Sequence, residues 1–174
     1  MVFDINKSIE ILQRTPLILE SLLQGISKEW VENNEGENTW SAYDIVGHLI
    51  HGEKTDWIPR AKVILSKAEN KTFDPFDRFA QMNKDQERTI EELLKEFKEI
   101  RSKNIEELKS FQINETKLSK KGIHPELGEV NLKELLSTWV VHDLGHISQI
   151  SRVMAKQFKS EVGPWSAYLG ILKK

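Results

Sequence analysis

Two histidines four residues apart, His142 and His146 in the segment VVHDLGHISQI, are the residues of this chain best suited to chemistry. On a helix they share one face, with Cβ atoms about 5 to 6 Å apart, so two imidazoles can reach one ion. A tetrahedral or octahedral site needs at least one further ligand from another element. The chain has no cysteine, so that ligand must be imidazole or oxygen. His48 is the best placed, because Ile45, His48 and Gly52 share a helical face beside an apolar stripe, and Gly52 leaves room there. His51 falls nearer the polar side with Asp44 and Lys54, and His124 falls in a loop. The competing reading is that inward imidazoles simply hydrogen-bond within a core, since a pair at this spacing also arises by chance.

Three neutral imidazoles leave one or more positions open to water or substrate, which suits a catalytic rather than a closed structural site. Zinc and nickel both fit such a ligand set. The string HDLGH also compares with the HExxH helix of zinc proteases, whose glutamate is the base. Here Asp143 stands at that place with a shorter arm, and no histidine follows His146 to complete the ligand set. Asp143, Glu53 and Asp56 are candidates to orient the imidazoles from behind, although charged residues on long helices are more often solvated. Arg60 and Arg152 could meet an anionic substrate. Phe73, Phe76 and Phe79 could roof the site or pack on the fold, and Trp57, Trp139 and Trp165 read as core or as a surface between two copies.

Four helical patterns must position these residues. Ile5, Ile9, Leu12, Leu19, Leu22 and Leu23 repeat at helical spacing, with Pro16 kinking one helix or opening a second segment, and Gly25 closing it. Ser27 to Thr39 has the composition of a loop. Ser41 with Asp44 three residues on predicts the cap of a second helix, whose stripe runs Ile45, Leu49, Trp57, Ala61 and Ile64, with a kink at Pro59 and an end near Asn70. After the loop KTFDPFDRF a third helix is expected from around Met82, carrying Ile90, Leu93, Leu94, Phe97, Ile100, Ile105 and Leu108. The polar stretch from Phe111 to about Val130 suits a short hairpin or a crossover. Asn131 and Glu134 then open a fourth helix along Leu132, Leu135, Trp139, Ile150 and Val153, and the tail SEVGPWSAYLGILKK is expected to dock Trp165 and Leu169. Without a convincing alternating strand, this is an all-α four-helix bundle, read as one domain over residues 1–174.

The bulk numbers agree with such a domain. A length of 174 residues can bury a real core without staples. Lys and Arg total 25 against 27 for Asp and Glu, a formal charge of -2, so no field draws the chain to phosphate backbones and nucleic acid is not an expected partner. No apolar run approaches a membrane span and the N-terminus is unlike a secretory signal, so a cytoplasmic protein without a membrane partner is expected.

Three segments together, TWSAYDIVGHLIHGEKTDW, VVHDLGHISQI and VGPWSAYL, resemble in order and spacing the DinB-like, or YfiT-type, superfamily of damage-inducible bacterial proteins. The resemblance covers nearly the whole chain. It implies a four-helix bundle with an up-up-down-down-like long crossover connection, a homodimer, and one divalent metal held by His48, His142 and His146. His51, one turn beyond His48, could compete for that ion. The resemblance also implies a small-molecule substrate and S-transfer with a low-molecular-weight thiol as cosubstrate. Hydrolysis by a metal-activated water is the alternative, and a metal-stabilised module without catalysis is a third.

Overall fold

The computed structural model describes residues 2–80 and 88–173. Helix α1, Ile5–Leu23, opens on Asp4, whose carboxylate accepts from the amides of Asn6 and Lys7. It runs through Pro16 without a break. A proline has no N–H for the carbonyl four residues back, which here belongs to Leu12. That carbonyl instead accepts from Arg101 Nη1 at 2.8 Å. Within the stretch expected as loop lies a short helix, α2, Lys28–Glu32, with too few residues for an apolar period to show.

The second arm opens at Ser41, where the Ser41 and Asp44 side chains cap one another's amides, as their spacing predicts. It is two helices rather than one kinked helix: α3, Ala42–Thr55, and α4, Trp57–Leu65, part at Asp56 with φ -109° and ψ -78°. Pro59 acts a turn upstream of itself, because its ring presses on the Thr55 carbonyl and offers it no donor. The arm ends at Leu65, short of the expected Asn70. Helix α5, Ile90–Ser110, begins behind a reciprocal cap of Thr89 and Glu92; the expected start at Met82 lies outside the described residues.

Between Phe111 and the last long helix come α6, Glu115–Leu118, and a hairpin of β1, Lys121–His124, with β2, Gly128–Asn131. The strands pair antiparallel, Lys121 opposite Asn131 and His124 opposite Gly128. The backbone of Lys71 and Phe73 hydrogen-bonds to Ile123, so the loop after α4 is tied to the hairpin edge. Gly122 allows this approach: a Cβ there would lie 2.6 Å from the Phe73 ring. Asn131 and Glu134 then cap α7, Leu132–Lys156, as expected. In the tail Trp165 is 69% exposed and Leu169 39%, while Leu172 is buried beside α7, so docking falls to Leu172.

The apolar core is split in two. Leu12, Trp57, Ile64, Ile105, Leu136 and Trp139 belong to one half, and Leu19, Ile45, Leu49, Phe97 and Ile150 to the other. Read along each helix, this makes α1 and α7 run one way and α3–α4 and α5 the other. The order is therefore up-down-down-up rather than the expected up-up-down-down, and the two consecutive parallel arms are what require the long connection between α4 and α5. Between the halves lies a polar layer. Arg101, 1% exposed, donates to both Asp143 oxygens (2.6 and 3.1 Å) and to Glu53 Oε1 (2.8 Å). Thr15 donates to Asp143, Asn104 and Trp139 donate to Glu53, and the guanidinium lies over the rings of Phe97 and Trp139. Each of the four arms contributes to this layer. Among the described residues no helix is long and apolar enough to cross a membrane.

Candidate metal centre

His48 on α3 and His142 and His146 on α7 come together where these two helices pack. His142 Nε2 lies 3.2 Å from His48 Nε2 and 3.1 Å from His146 Nε2, and the candidate ligand atoms all lie within 4.8 Å of one another. An ion bound at about 2.05 Å would space two nitrogens about 2.9 Å apart at a right angle and about 3.3 Å at the tetrahedral angle. Both of these separations fall between those values, while the bound on the third pair, 4.8 Å, exceeds the about 4.1 Å that two such bonds can span, so His48 and His146 would draw together on binding. The donor set fits a divalent transition metal of borderline softness, zinc or nickel among them.

The protonation of the rings suits the same purpose. Burial, assisted by the nearby His146, His51 and Arg78, lowers His48 to about 4, and burial with His146 and His48 lowers His142 to about 3. His146 is lowered too, chiefly by burial. All three are neutral at pH 7. His146 Nδ1 sits 2.8 Å from Gln149 Oε1, which holds the proton on Nδ1 and leaves the Nε2 lone pair for the centre. His48 Nδ1 and His142 Nδ1 are buried without a hydrogen-bond partner. As core imidazoles these rings would have only one another as Nε2 partners, at 3.2 and 3.1 Å, and would leave His48 Nδ1 and His142 Nδ1 unbonded.

The other expected residues are placed as follows. His51 lies outside the triad, its ring against Phe76 and its Nε2 3.5 Å from Thr55 Oγ1. His124 ends β1 rather than lying in a loop, and its Nδ1 accepts from the amides of Glu126 and Leu127. Asp143 and Glu53 bond to Arg101 rather than to the imidazoles. That also removes the protease reading, since both Asp143 oxygens are committed and the side chain is fully buried. Asp56 pairs with Arg60, Nε to Oδ1 at 2.9 Å, and Arg152 forks onto Glu35 with two bonds of 2.8 Å.

The imidazoles open into a cleft of ≈ 1060 Å³. Trp40 and Phe76 pack against His48, and Phe79 stands edge-on to Trp40, so two of the three loop phenylalanines wall the site. Phe73 is core. Trp57 and Trp139 are buried and stacked on each other, and Trp57 meets His142 edge-on. Trp40, Gln149 and Arg101 were not singled out from the sequence. Gln149 had only its position three residues after His146 as a signal. Arg101 had a better one: it sits in the apolar stripe between Phe97 and Ile105, where a solvated arginine does not belong.

A family model described as the DinB superfamily matches residues 11–150. Among solved structures, YfiT from Bacillus subtilis, a probable metal-dependent hydrolase with an unusual four-helix bundle topology, superposes with a TM-score of 0.72. It shares 17% identity over 88% of this chain and 87% of its own. TT2238, a four-helix bundle protein, superposes with a TM-score of 0.56 at 18% identity over 84% of this chain and 97% of its own. At such identities the likeness shows the fold. No curated protein matches the chain.

Proposed function

The chain belongs to the DinB superfamily, and from that premise we propose that it is a metal-dependent enzyme whose His48, His142 and His146 hold one divalent ion and whose cleft takes a small molecule. The convergence of three neutral imidazole nitrogens on the floor of an open cleft carries this reading. A bound ion would supply Lewis acidity to whatever oxygen or sulfur fills its open position. The chain's own residues do the rest. Gln149 fixes one imidazole, Trp40 and Phe76 keep water from the ring faces, and the cleft leaves the substrate side free. The buried layer around Arg101 already joins the four arms, which favours a reactive ion over a structural clamp.

Hydrolysis is placed first, in keeping with the description of YfiT as a probable metal-dependent hydrolase. S-transfer from a low-molecular-weight thiol is the second reading. It is favoured by Asp143, beside His142 in sequence, and Glu53, on the helix of His48, being locked onto Arg101, because a thiolate nucleophile needs no neighbouring base. Elemental analysis of the untagged protein beside His146→Ala tests the centre. About one equivalent of zinc or nickel in the wild type, lost in the variant, supports it, and parallel screens of hydrolysis and thiol transfer then separate the reactions. A wild type that neither carries nor takes up zinc or nickel overturns the proposal.

A further inference from the structure

The lining of the cleft also includes a second polar pair, Asp56 and Arg60. Both residues are 8% exposed. Asp56 occupies the break between α3 and α4, and Arg60 follows one turn later on α4. Their pairing is incomplete. Asp56 Oδ1 lies 2.9 Å from Arg60 Nε but without hydrogen-bond alignment, and it has no other partner. Arg60 Nη2 reaches the Asp74 carbonyl only at 3.4 Å, and the guanidinium is steadied over the Phe73 ring at 5.2 Å.

The layer around Arg101 shows what a purely structural arrangement looks like in this protein. There both oxygens of Asp143 and both of Glu53 accept hydrogen bonds. An under-bonded, nine-tenths buried carboxylate beside an under-used guanidinium, on the wall of an open cleft, is instead the pattern of a ligand subsite. Burial outweighs the attraction of Arg60 and holds Asp56 up at about 6, so the guanidinium alone does not satisfy it. Glu53, the other acid whose charge reaches Asp56, is already tied to Arg101.

We propose that Asp56 and Arg60 form a recognition subsite for a substrate head group carrying an ammonium and a carboxylate side by side, as an amino acid does. The ammonium donates to Asp56 and the carboxylate accepts from Arg60. The buried pair has no net charge, so a ligand with one charge would carry that charge into the site uncompensated, whereas a dipolar head gives each member a partner of opposite sign. The subsite refines the reading of the cleft as a substrate site, and it does not depend on the ion.

Three probes that share a phenyl ring and differ only in charge test it: L-phenylalanine, phenethylamine and 3-phenylpropionate. Calorimetric titration into full-length protein, zinc-loaded and metal-free, should rank phenylalanine about tenfold or more above both others in each form. Asp56→Asn should bring phenylalanine down to the level of phenylpropionate, and Arg60→Gln should bring it down to the level of phenethylamine. Equal or no binding of the three probes by the wild type overturns the proposal. So does a preference present only with zinc, which would place the amino acid on the ion. Variants that lose stability yet keep the ranking would make the pair a staple across the helix break, and the proposal would fall. If neither variant folds, the wild-type ranking decides. If the protein holds no ion, the metal-free series still reads out.

Discussion

Arg101→Met is the substitution whose cost can be worked most directly from the structure. Methionine keeps an apolar stem between Phe97 and Trp139 and removes four hydrogen bonds: to Leu12 O and Asp143 Oδ2 from one nitrogen, to Glu53 Oε1 and Asp143 Oδ1 from the other. Three go to carboxylates whose side chains are fully buried. They share one cation, so they do not add as independent bonds, and the better measure is the cost of deleting one partner of a buried ion pair, about 3–5 kcal/mol. The Leu12 carbonyl, left without any donor, raises this by about 1 kcal/mol or more. A loss of about 4–6 kcal/mol is expected, much of the 5–15 kcal/mol that holds a typical domain. Urea unfolding followed by far-ultraviolet circular dichroism measures it, with an unchanged m-value as the mark of an intact two-state transition. Adding Asp143→Asn removes one stranded charge and should return about 1–2 kcal/mol. A loss below about 1 kcal/mol in the single variant would refute the view that this layer ties the arms together.

Four further outcomes are expected. Because burial holds His48 at about 4 and His142 at about 3 and lowers His146, protons compete weakly for the centre. Three ordinary imidazoles would lose about three decades of zinc affinity between pH 7.5 and 5.5, and competition with a chelating dye should show less than about one decade here. In the metal-free protein the unfolded chain takes up protons below about 6.5 that the folded rings refuse until about 4 and 3. Stability is therefore full above pH 6.5 and falls as acid is added through that window, as a series of urea curves would record. Gln149→Leu should weaken zinc binding about 10- to 100-fold while leaving the unfolding midpoint nearly unchanged, because it frees the His146 tautomer without opening the core. Gly122→Ala forces a Cβ to within 2.7 Å of two Phe73 atoms and 2.9 Å of Ile64, and should cost about 1–3 kcal/mol by thermal or chemical unfolding.

The fold was legible where one local rule dominates. The caps at Ser41 and Asn131 and the apolar stripes of α1, α5 and α7 follow from spacing alone. The same rule at Thr89 and Glu92 marks the start of α5, but apolar periodicity extended upstream to Met82 pulls the expected start away from that cap. The break at Asp56 was displaced from Pro59 because a proline disturbs the turn before it. The triad could be read because two ligands share a helix turn and the third lies beside an apolar stripe. What the histidines rest on could not, because the partners of Asp143 and Glu53 come from 42 and 48 residues away in sequence, and spacing within one helix says nothing about them. Charged residues on long helices are usually solvated, and here that expectation fails for Glu53, Arg101 and Asp143 together, each being buried only because the others are.

The proline in α1 has a consequence for how the helices are indexed. A long apolar seam tolerates sliding, since leucine packs on leucine nearly as well one turn along, a step of about 5.4 Å. Pro16 breaks that degeneracy by marking a single carbonyl, that of Leu12, as the one α1 cannot satisfy within itself, and Arg101 on α5 answers it. A one-turn slip would strand the carbonyl and pull the guanidinium from Asp143, which sits in α7 between His142 and His146. A helix defect outside the lining of the cleft thus acts as an address, fixing the axial alignment of three helices. Pro16→Ala would restore a backbone bond and erase the mark, and a seam freed in this way has more than one place to come to rest.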